Sequence, residues 1–169
     1  QMHGTGTMAV KIRPAVLDDA ASYRRCWDTV AKERLYLTER KAPPLSEVRA
    51  QIRESLRGKT PFFVAVDGAR VVGFSAVYRF GLPSLSHNGR FGIGLLPQYR
   101  NMGLGTKLMA RLLKMARRKF DFVYLEVFGK NLRAQKLYRK MGFRTCGRIK
   151  NYVKGLAYGI DDALLMQKQ

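Results

Sequence analysis

The sequence predicts a single α/β domain of the α+β sandwich type, in which about four helices flank a mixed central sheet of about six or seven strands. Three observations support this prediction. A chain of 169 residues has the usual size of one domain with its own core. Apolar residues make up 46% of it, which is too many for a disordered chain. Segments with strand-like and helix-like apolar spacing follow one another in the order β-α-α-β-β-β-α-β-α-β-β.

The first half of the chain is predicted to hold one strand, two helices and a hairpin. Pro14 is expected to stop the strand, and Asp18 and Asp19 favour the first turn of the next helix through the helix dipole. Two adjacent prolines, 43–44, separate this helix from a second, basic helix that Gly58 closes. The predicted strands are 10–13, 62–66 and 71–78, and the predicted helices are 17–37 and 46–57.

The second half is predicted to alternate strands and helices before it ends in a hairpin. A strand leads into a glycine turn and a long amphipathic helix. In the strand that follows, Glu126 lies on the face opposite the aliphatic residues. Asn131 can cap the next, short helix, which Gly142 ends. The predicted strands are 91–96, 122–128, 143–152 and 158–167, and the predicted helices are 104–120 and 132–141.

The net charge of +20 predicts attraction to polyanions, such as nucleic acid, the ribosome or an acidic protein, or to an anionic cofactor. The positive residues are spread along the chain and form no basic tail. On the long helix they form one stripe without interleaved aromatic residues, which favours a solvated helix face over a nucleic-acid surface. The stripe consists of Lys107, Arg111, Lys114 and Arg118.

Nothing in the sequence predicts a membrane span or a secretory signal. Cys26 and Cys146 lie far apart and lack metal-ligand spacing, so both are expected to be free thiols of a cytoplasmic protein. No metal site is predicted. Residues 1–7 are expected to be either foreign to the natural protein or a disordered end, and residues 8–169 are expected to form the domain.

The most informative stretch is Gln98–Thr106, a turn with two glycines between a strand and the long helix. The first four N–H groups of a helix have no partner within it, and the helix dipole adds partial positive charge there. A strand that ends in a glycine turn and opens a helix therefore predicts an anion pocket, best suited to the phosphates of a cofactor. Two glycines alone are weak evidence, because many tight turns contain them.

Further residues complete two motifs that are similar to those of the GNAT superfamily of acetyl-coenzyme A-dependent N-acetyltransferases. The first motif, Arg100-x-x-Gly103-x-Gly105, resembles the pyrophosphate-binding pattern of that superfamily. The resemblance extends from about Phe62 to the end of the chain, and the second half most resembles the bacterial ribosomal-protein alanine acetyltransferases. The second motif consists of Leu125-Glu126-Val127, Asn131, Ala134, Leu137-Tyr138 and Gly142-Phe143.

The resemblance implies a GNAT-like fold, acetyl-CoA as co-substrate and a role for each motif residue. Tyr138 would protonate the leaving thiolate, and Glu126 would act as the base that takes a proton from a primary amine, directly or through water. Gly94, Leu95 and Asn131 would hold the pantetheine arm. The diphosphate would be bound, mainly by backbone groups, at Arg100, Asn101, Met102, Gly103, Leu104, Gly105 and Thr106.

Simpler interpretations of these residues stay open. Tyr138 can be a half-buried helix aromatic, and Glu126 can be a solvated strand residue or the partner of a nearby arginine. Asn131 can be only a helix cap, although its two polar atoms allow both roles. Arg100 can lie on the surface while the backbone binds the phosphates. His87, in the loop before the cofactor strand, is an alternative base because histidine titrates near neutral pH.

Asn101 departs from the family pattern, in which many members place glycine directly after the arginine. Asparagine is the non-glycine residue that best tolerates left-handed backbone angles. The turn is therefore expected to survive, although its affinity for the cofactor can differ.

The predicted function is transfer of an acetyl group from acetyl-CoA to a primary amine, either a protein N-terminus or a small amine. The positive charge disfavours a polycationic acceptor unless Glu33, Glu39, Asp161 and Asp162 gather at the site. The alternative is a basic nucleic-acid- or ribosome-binding protein on the same fold, with weak or no catalysis. The oligomeric state is left open, with a homodimer among the possibilities.

Overall fold

The computed structural model describes residues 9–169, so the expectation for residues 1–7 concerns a segment outside the described residues. The strands are β1 (Lys11–Pro14), β2 (Phe62–Asp67), β3 (Arg70–Arg79), β4 (Asn88–Leu95), β5 (Phe122–Phe128), β6 (Arg144–Leu156) and β7 (Gly159–Lys168). The α-helices are α1 (Ala20–Glu33), α2 (Leu45–Leu56), α3 (Leu104–Ala116) and α4 (Leu132–Lys140). The predicted fold class is confirmed.

One seven-stranded sheet runs through the molecule in the order β1-β2-β3-β4-β5-β7-β6. Its neighbouring strands are antiparallel, except that β4 and β5 are parallel. The closing hairpin joins the sheet through its second strand, so β7 lies between β5 and β6. The long strand β6 therefore forms one edge of the sheet, and β1 forms the other.

The helices cover opposite faces of the sheet. Tyr23 of α1 packs edge-to-face on Phe74 of β3, with ring centroids 5.1 Å apart. Side chains alternate along a strand, so Ile93 and Leu95 of β4 point to the other face. There they approach Gly105 of α3, at 3.8 and 3.7 Å from the position that a Cβ would take. One face of β4 is thus covered by α1 and the other by α3.

Several boundaries differ from the prediction: β4 begins three residues earlier, β6 ends four residues later, and three others differ for a local reason. The helix α1 ends earlier than expected because Arg34, with φ of 55°, adopts the left-handed conformation. Pro14 lies inside β1 because this edge strand has no neighbour that would need its missing N–H. The helix α3 ends at Ala116 because the residues up to 120 form a tighter turn, in which the Lys119 N–H donates to the Ala116 carbonyl at 2.9 Å.

The strands β4 and β5 diverge soon after they begin. They pair over only three positions, the last of which joins Arg90 to Tyr124. Beyond it β4 stays paired with β3 as far as Leu95, and β5 stays paired with β7 as far as Phe128. The two strands therefore separate as the halves of a V, and a gap opens in the middle of the sheet.

Both cysteines are free thiols, as predicted: Cys26 is buried in α1 and Cys146 is exposed on β6. Burial raises the pKa of the Cys26 thiol to about 12, so this side chain stays protonated and is a poor nucleophile. No helix among residues 9–169 is long and apolar enough to cross a membrane.

Candidate functional site

The backbone of β4 presents polar groups to the gap. The Leu96 N–H donates to the Val72 carbonyl of β3 at 2.9 Å. Because these groups alternate in direction along a strand, Gly94 also points its N–H and C=O toward β3. Ile93 and Leu95 point theirs toward the gap. The alternation identifies Ile93, which the sequence analysis missed, as a partner of Leu95 on this edge.

Gly94 contributes through its missing side chain. A Cβ at this position would lie 2.5 Å from Cζ of Phe74, so only glycine lets β4 pass this ring. The prediction that Gly94 holds the pantetheine arm stays a prediction; because its hydrogen-bonding groups face β3, Gly94 would contact the arm by its shape and not by hydrogen bonds.

The turn between β4 and α3 has the backbone geometry of an anion pocket. Asn101 and Gly103 adopt left-handed conformations, with φ of 66° and 78°, so asparagine is tolerated here as predicted. No side chain caps α3, and a hydrogen bond runs from the Lys107 N–H to the Gly103 carbonyl at 3.2 Å. The N–H groups of residues 104–106 consequently have no helical partner.

Arg100 is held beneath this turn by its side chain. Its guanidinium donates to both oxygens of the Glu33 carboxylate at 3.1 and 2.6 Å. It also donates two hydrogen bonds to the Leu95 carbonyl, at 3.1 and 2.8 Å, and lies 4.7 Å from the ring centroid of Tyr36. The side chain thus ties the end of α1 to the end of β4, and its charge faces Glu33 instead of a phosphate.

Asn131 combines the two roles that its side chain allows. Its Oδ1 accepts a hydrogen bond from the Ala134 N–H at 3.2 Å and so caps α4. The Nδ2 group is left as a donor on a residue that lines the same cleft as the turn. The cap and a contact with a bound ligand are therefore compatible, as the sequence suggested.

Two cavities meet at the gap. The larger, of about 660 Å³, extends from the N-terminus of α3 along β4 to α4. The smaller, of about 430 Å³, opens toward α1. Predicted cofactor residues that line the larger cavity are Gly94, Leu95, Arg100, Asn101, Gly103, Leu104, Gly105 and Asn131; Met102 and Thr106 do not line it. Both cavities share Tyr36, Ile93, Glu126 and Tyr138.

Tyr138 lies at this junction. Its ring packs edge-to-face on Phe91, with centroids 5.8 Å apart, and against Phe143 at 6.1 Å. The residue is only 7% exposed, and its hydroxyl has no hydrogen-bond partner among residues 9–169. Burial raises the pKa of the phenol well above its usual value, so Tyr138 stays a proton donor.

Glu126 lies at the same junction, with its side chain 17% exposed. The Tyr152 hydroxyl donates to its Oε2 at 2.9 Å, and Nη2 of Arg90 lies 3.4 Å from the same oxygen. The carboxylate is thus held from two strands, β6 and β4. The sequence allowed an arginine partner for Glu126 but identified neither Arg90 nor Tyr152, because neither is close to Glu126 in the chain.

A bulge in β6 directs Tyr152 toward the cleft. The pairing of β6 with β7 shifts between Ile149 and Val153, and Asn151 adopts a left-handed φ of 52°. The Asn151 N–H donates to Oδ1 of Asp162 at 2.8 Å, which anchors the bulge to β7. At this bulge the Tyr152 hydroxyl contacts the Glu126 carboxylate.

The other candidates lie apart from the junction or are already paired. His87 is exposed, packs on Phe122 with ring centroids 6.0 Å apart and lines neither cavity, so its role as an alternative base stays a prediction that this position does not favour. Asp161 accepts hydrogen bonds from the Lys130 N–H and the Tyr158 hydroxyl, so it is not free to receive a polycation. Among residues 9–169 no cluster of His, Cys, Asp or Glu could hold a metal ion.

Of the four acidic residues considered for an amine, only Glu39 lines the smaller cavity. Glu33 is paired with Arg100, as described above. Asp162 forms an ion pair with Arg148 at 2.6 Å on the outer hairpin. The four carboxylates therefore do not gather at one site, so the condition under which a polycationic acceptor would be favoured is not met.

Comparison with known proteins matches residues 22–143 to a family described as the acetyltransferase (GNAT) family. The chain is 31% identical over 134 residues to the N-alpha-acetyltransferase RimI of Mycobacterium tuberculosis, covering 79% of this chain and 80% of the relative. It is 30% identical over 124 residues to the L-amino acid N-acetyltransferase AaaT of Escherichia coli, covering 72% of this chain and 76% of that relative.

A solved structure is similar along almost the whole fold. It is that of yncA, a putative acetyltransferase from Salmonella typhimurium with its cofactor acetyl-CoA. The TM-score is 0.85 at 19% identity, and the match covers 95% of this chain and 94% of that one. At this identity the likeness is one of fold.

Proposed function

The chain belongs to the acetyltransferase (GNAT) family, and we propose that it transfers the acetyl group of acetyl-CoA to a primary amine by direct attack. The observation that carries this proposal is the divergence of β4 and β5. The gap it opens has unpaired helix amides at one end, and Glu126 and Tyr138 lie where the two cavities meet.

Each part of acetyl-CoA has a complementary group in or beside the larger cavity. The N–H groups at the start of α3 suit its diphosphate, since they are uncapped and lie at the positive end of the helix dipole. The backbone groups of Ile93 and the N–H of Leu95 suit the amides of the pantetheine arm, which would extend β4 as a strand does; the Leu95 carbonyl is already bonded to Arg100. The donor Nδ2 of Asn131 suits a carbonyl of the same arm. The thioester would then reach the junction of the cavities.

The amine would enter through the smaller cavity. Glu126 would take a proton from the ammonium group, directly or through one water, and the nitrogen lone pair would attack the thioester carbonyl. The carbon–sulfur bond breaks as the amide forms, and the thiolate takes the proton of the Tyr138 hydroxyl. The nitrogen loses its second proton, which restores the Tyr138 hydroxyl through water, and the proton held by Glu126 returns to solvent. Tyr138 and Glu126 are thus the proposed acid and base.

Thiol release from acetyl-CoA in the presence of varied amines tests this function. We expect release with at least one primary amine and none without. Gly103→Arg should abolish cofactor binding in isothermal titration, because it places a long side chain on the amides of the turn. Ala110→Arg adds the same charge on the exposed side of the same helix and should bind normally. Equal binding by both variants would contradict the proposed phosphate site.

A second candidate is association with a polyanion such as RNA or the ribosome. In the segment 104–160 the only carboxylates are Asp121 and Glu126, although Lys and Arg are frequent there. Of the cations in this segment, only Arg148 forms a salt bridge within residues 9–169. RNA binding that falls steeply between about 50 and 200 mM salt would support this candidate. Tight RNA binding without any binding of acetyl-CoA would favour polyanion association over acetyl transfer as the function.

A further inference from the structure

The smaller cavity holds an arginine with spare hydrogen-bonding capacity next to the proposed base. Arg90 contacts Glu126 through a single pair of atoms at 3.4 Å, and its side chain is 42% exposed. Arg100, in contrast, donates hydrogen bonds to both carboxylate oxygens of Glu33. The Arg90 guanidinium therefore keeps donors free for another anion in the cavity.

Among the described residues 9–169, no other cation that lines this cavity is available to a ligand. Arg79, the second arginine of the lining, donates to the carbonyls of Ser86, Lys59 and Lys119 and lies over the ring of Phe120. Its charge is thereby directed at backbone oxygens outside the cavity. Arg90 is the remaining positive group, and Glu39 and Glu126 are the negative groups of the lining.

The rest of the wall suits a large apolar group. Aromatic side chains cover much of it, and they come from α1, β3, β4 and β5. The main contributors are Trp27, Phe74, Tyr78, Phe80, Phe91 and Phe128. An acceptor that fills this space would bring an apolar or aromatic side chain, since such surfaces gain free energy by leaving water together.

We propose that the acceptor is a free α-amino acid with a large apolar side chain. This inference rests on the proposed function. The ammonium group of the amino acid would contact Glu126, its carboxylate would contact Arg90, and its side chain would enter the smaller, aromatic cavity. An α-amino acid carries both charges on one carbon, so a carboxylate and a guanidinium side by side are complementary to it. The relatives leave the choice open, because one is an N-alpha-acetyltransferase and the other an L-amino acid N-acetyltransferase.

Binding of such an acceptor would also prepare the base. The acceptor carboxylate takes the place of Glu126 as the partner of Arg90, and Glu126 is then free to receive the proton of the ammonium group. A protein N-terminus has an amide where the free amino acid has its carboxylate, so it cannot make this exchange. The exchange therefore selects a free amino acid over a peptide.

Three matched acceptors separate these possibilities: phenylalanine, phenylalaninamide and phenethylamine, each assayed by thiol release with the full chain. We expect kcat/KM for phenylalanine to exceed that for the other two by about ten-fold or more, the size of a charge-assisted contact. Arg90→Gln should remove this preference, while Arg53→Gln, on the exposed side of α2, should keep it. Alanine should be a poorer acceptor than phenylalanine because it leaves the aromatic cavity empty.

The test compares kcat/KM for different acceptors within one variant. A change in folding or in Glu126 itself alters all of these values alike, so it does not change their ratios. Equal rates with phenylalanine and its amide, or faster acetylation of a peptide N-terminus, would overturn the inference and leave the proposed function intact. A preference that survives in Arg90→Gln would also overturn it. Absence of thiol release with every amine would contradict the proposed function instead.

Discussion

Tyr138 is buried and lines both cavities. Its ring stabilises the fold through Phe91 and Phe143, whereas its hydroxyl has no hydrogen-bond partner within residues 9–169. In the proposed mechanism the ring would serve the fold and the hydroxyl would serve the reaction. The simpler interpretation, a half-buried aromatic, accounts for the packing of the ring and gives the hydroxyl no role.

Replacement of Tyr138 by phenylalanine should separate these two contributions. We expect kcat to fall by about 10²-fold, the usual size of a general-acid contribution, with little change in the affinity for acetyl-CoA. The melting temperature should stay close to that of the natural chain because the ring is kept. Since burial raises the pKa of the phenol, the natural enzyme should keep this donor protonated up to at least about pH 10.

Turnover with each amine, isothermal titration with acetyl-CoA and thermal melting check this expectation. A loss of cofactor affinity at normal turnover would mean that the hydroxyl only holds the ligand.

Tyr152 is expected to act through Glu126, as a residue that positions the base. Tyr152→Phe removes the hydrogen bond of 2.9 Å to the carboxylate and should lower kcat several-fold. In a chain that already carries Glu126→Gln the same change should have almost no further effect, because the group that Tyr152 orients no longer takes up a proton. The two single variants and the double variant, each assayed across pH, measure this coupling.

Purely additive effects would show that Tyr152 works independently of Glu126. A pH–rate profile left unchanged by Glu126→Gln would point to a water chain as the base.

At the scale of elements, glycines determine how closely neighbouring groups pack against the two faces of β4. Gly94 allows close passage of Phe74 on the α1 face, and on the opposite face Ile93 and Leu95 form the floor of the larger cavity. Gly105 of α3 sits above this floor. Gly94 faces one side of β4 and Gly105 lies on the other, so they meet very different surroundings.

The two glycines should respond differently to alanine. Gly94→Ala places a Cβ 2.5 Å from a ring atom and should lower the free energy of unfolding by about 1–3 kcal/mol, the usual cost of overpacking. Gly105→Ala meets its nearest atom at 3.6 Å and should be neutral or add up to about 1 kcal/mol through helix propensity. Urea unfolding of both variants tests this, and equal losses of stability would contradict it.

Most elements could be predicted from local spacing. Strand β5 was placed at the residues where it occurs, and α4 was placed within one residue of its end. The early end of α1 could not be read from the sequence, because arginine at position 34 gives no local signal for a left-handed conformation. There the backbone follows a long-range contact, in which the Ala157 N–H donates to the Arg34 carbonyl at 2.9 Å.

At the scale of the whole molecule, function depends on the separation of β4 from β5, because the cofactor would bridge the two halves of the sheet. A ligand held by both halves binds the folded chain and not the unfolded one. Acetyl-CoA at about 100 times its dissociation constant should therefore stabilise the natural chain by about 2.7 kcal/mol. Thermal melting with and without the cofactor measures the shift.

Gly103→Arg should melt at the same temperature with and without acetyl-CoA. Ala110→Arg, the matched control, should show the full shift. A cofactor-dependent shift in both variants would mean that binding does not require the N-terminus of α3.

The sequence by itself determined the order of elements, the glycine turn before α3 and the motif residues, because each is specified by neighbours in the chain. Left-handed φ at Asn101 and the unpaired amides of α3 are local properties of this kind. Only the tertiary structure decided that Arg100 faces Glu33 and that Arg90 and Tyr152 hold Glu126. Those contacts depend on which strands become neighbours. The position of β7 between β5 and β6 cannot be predicted from the local spacing of apolar residues.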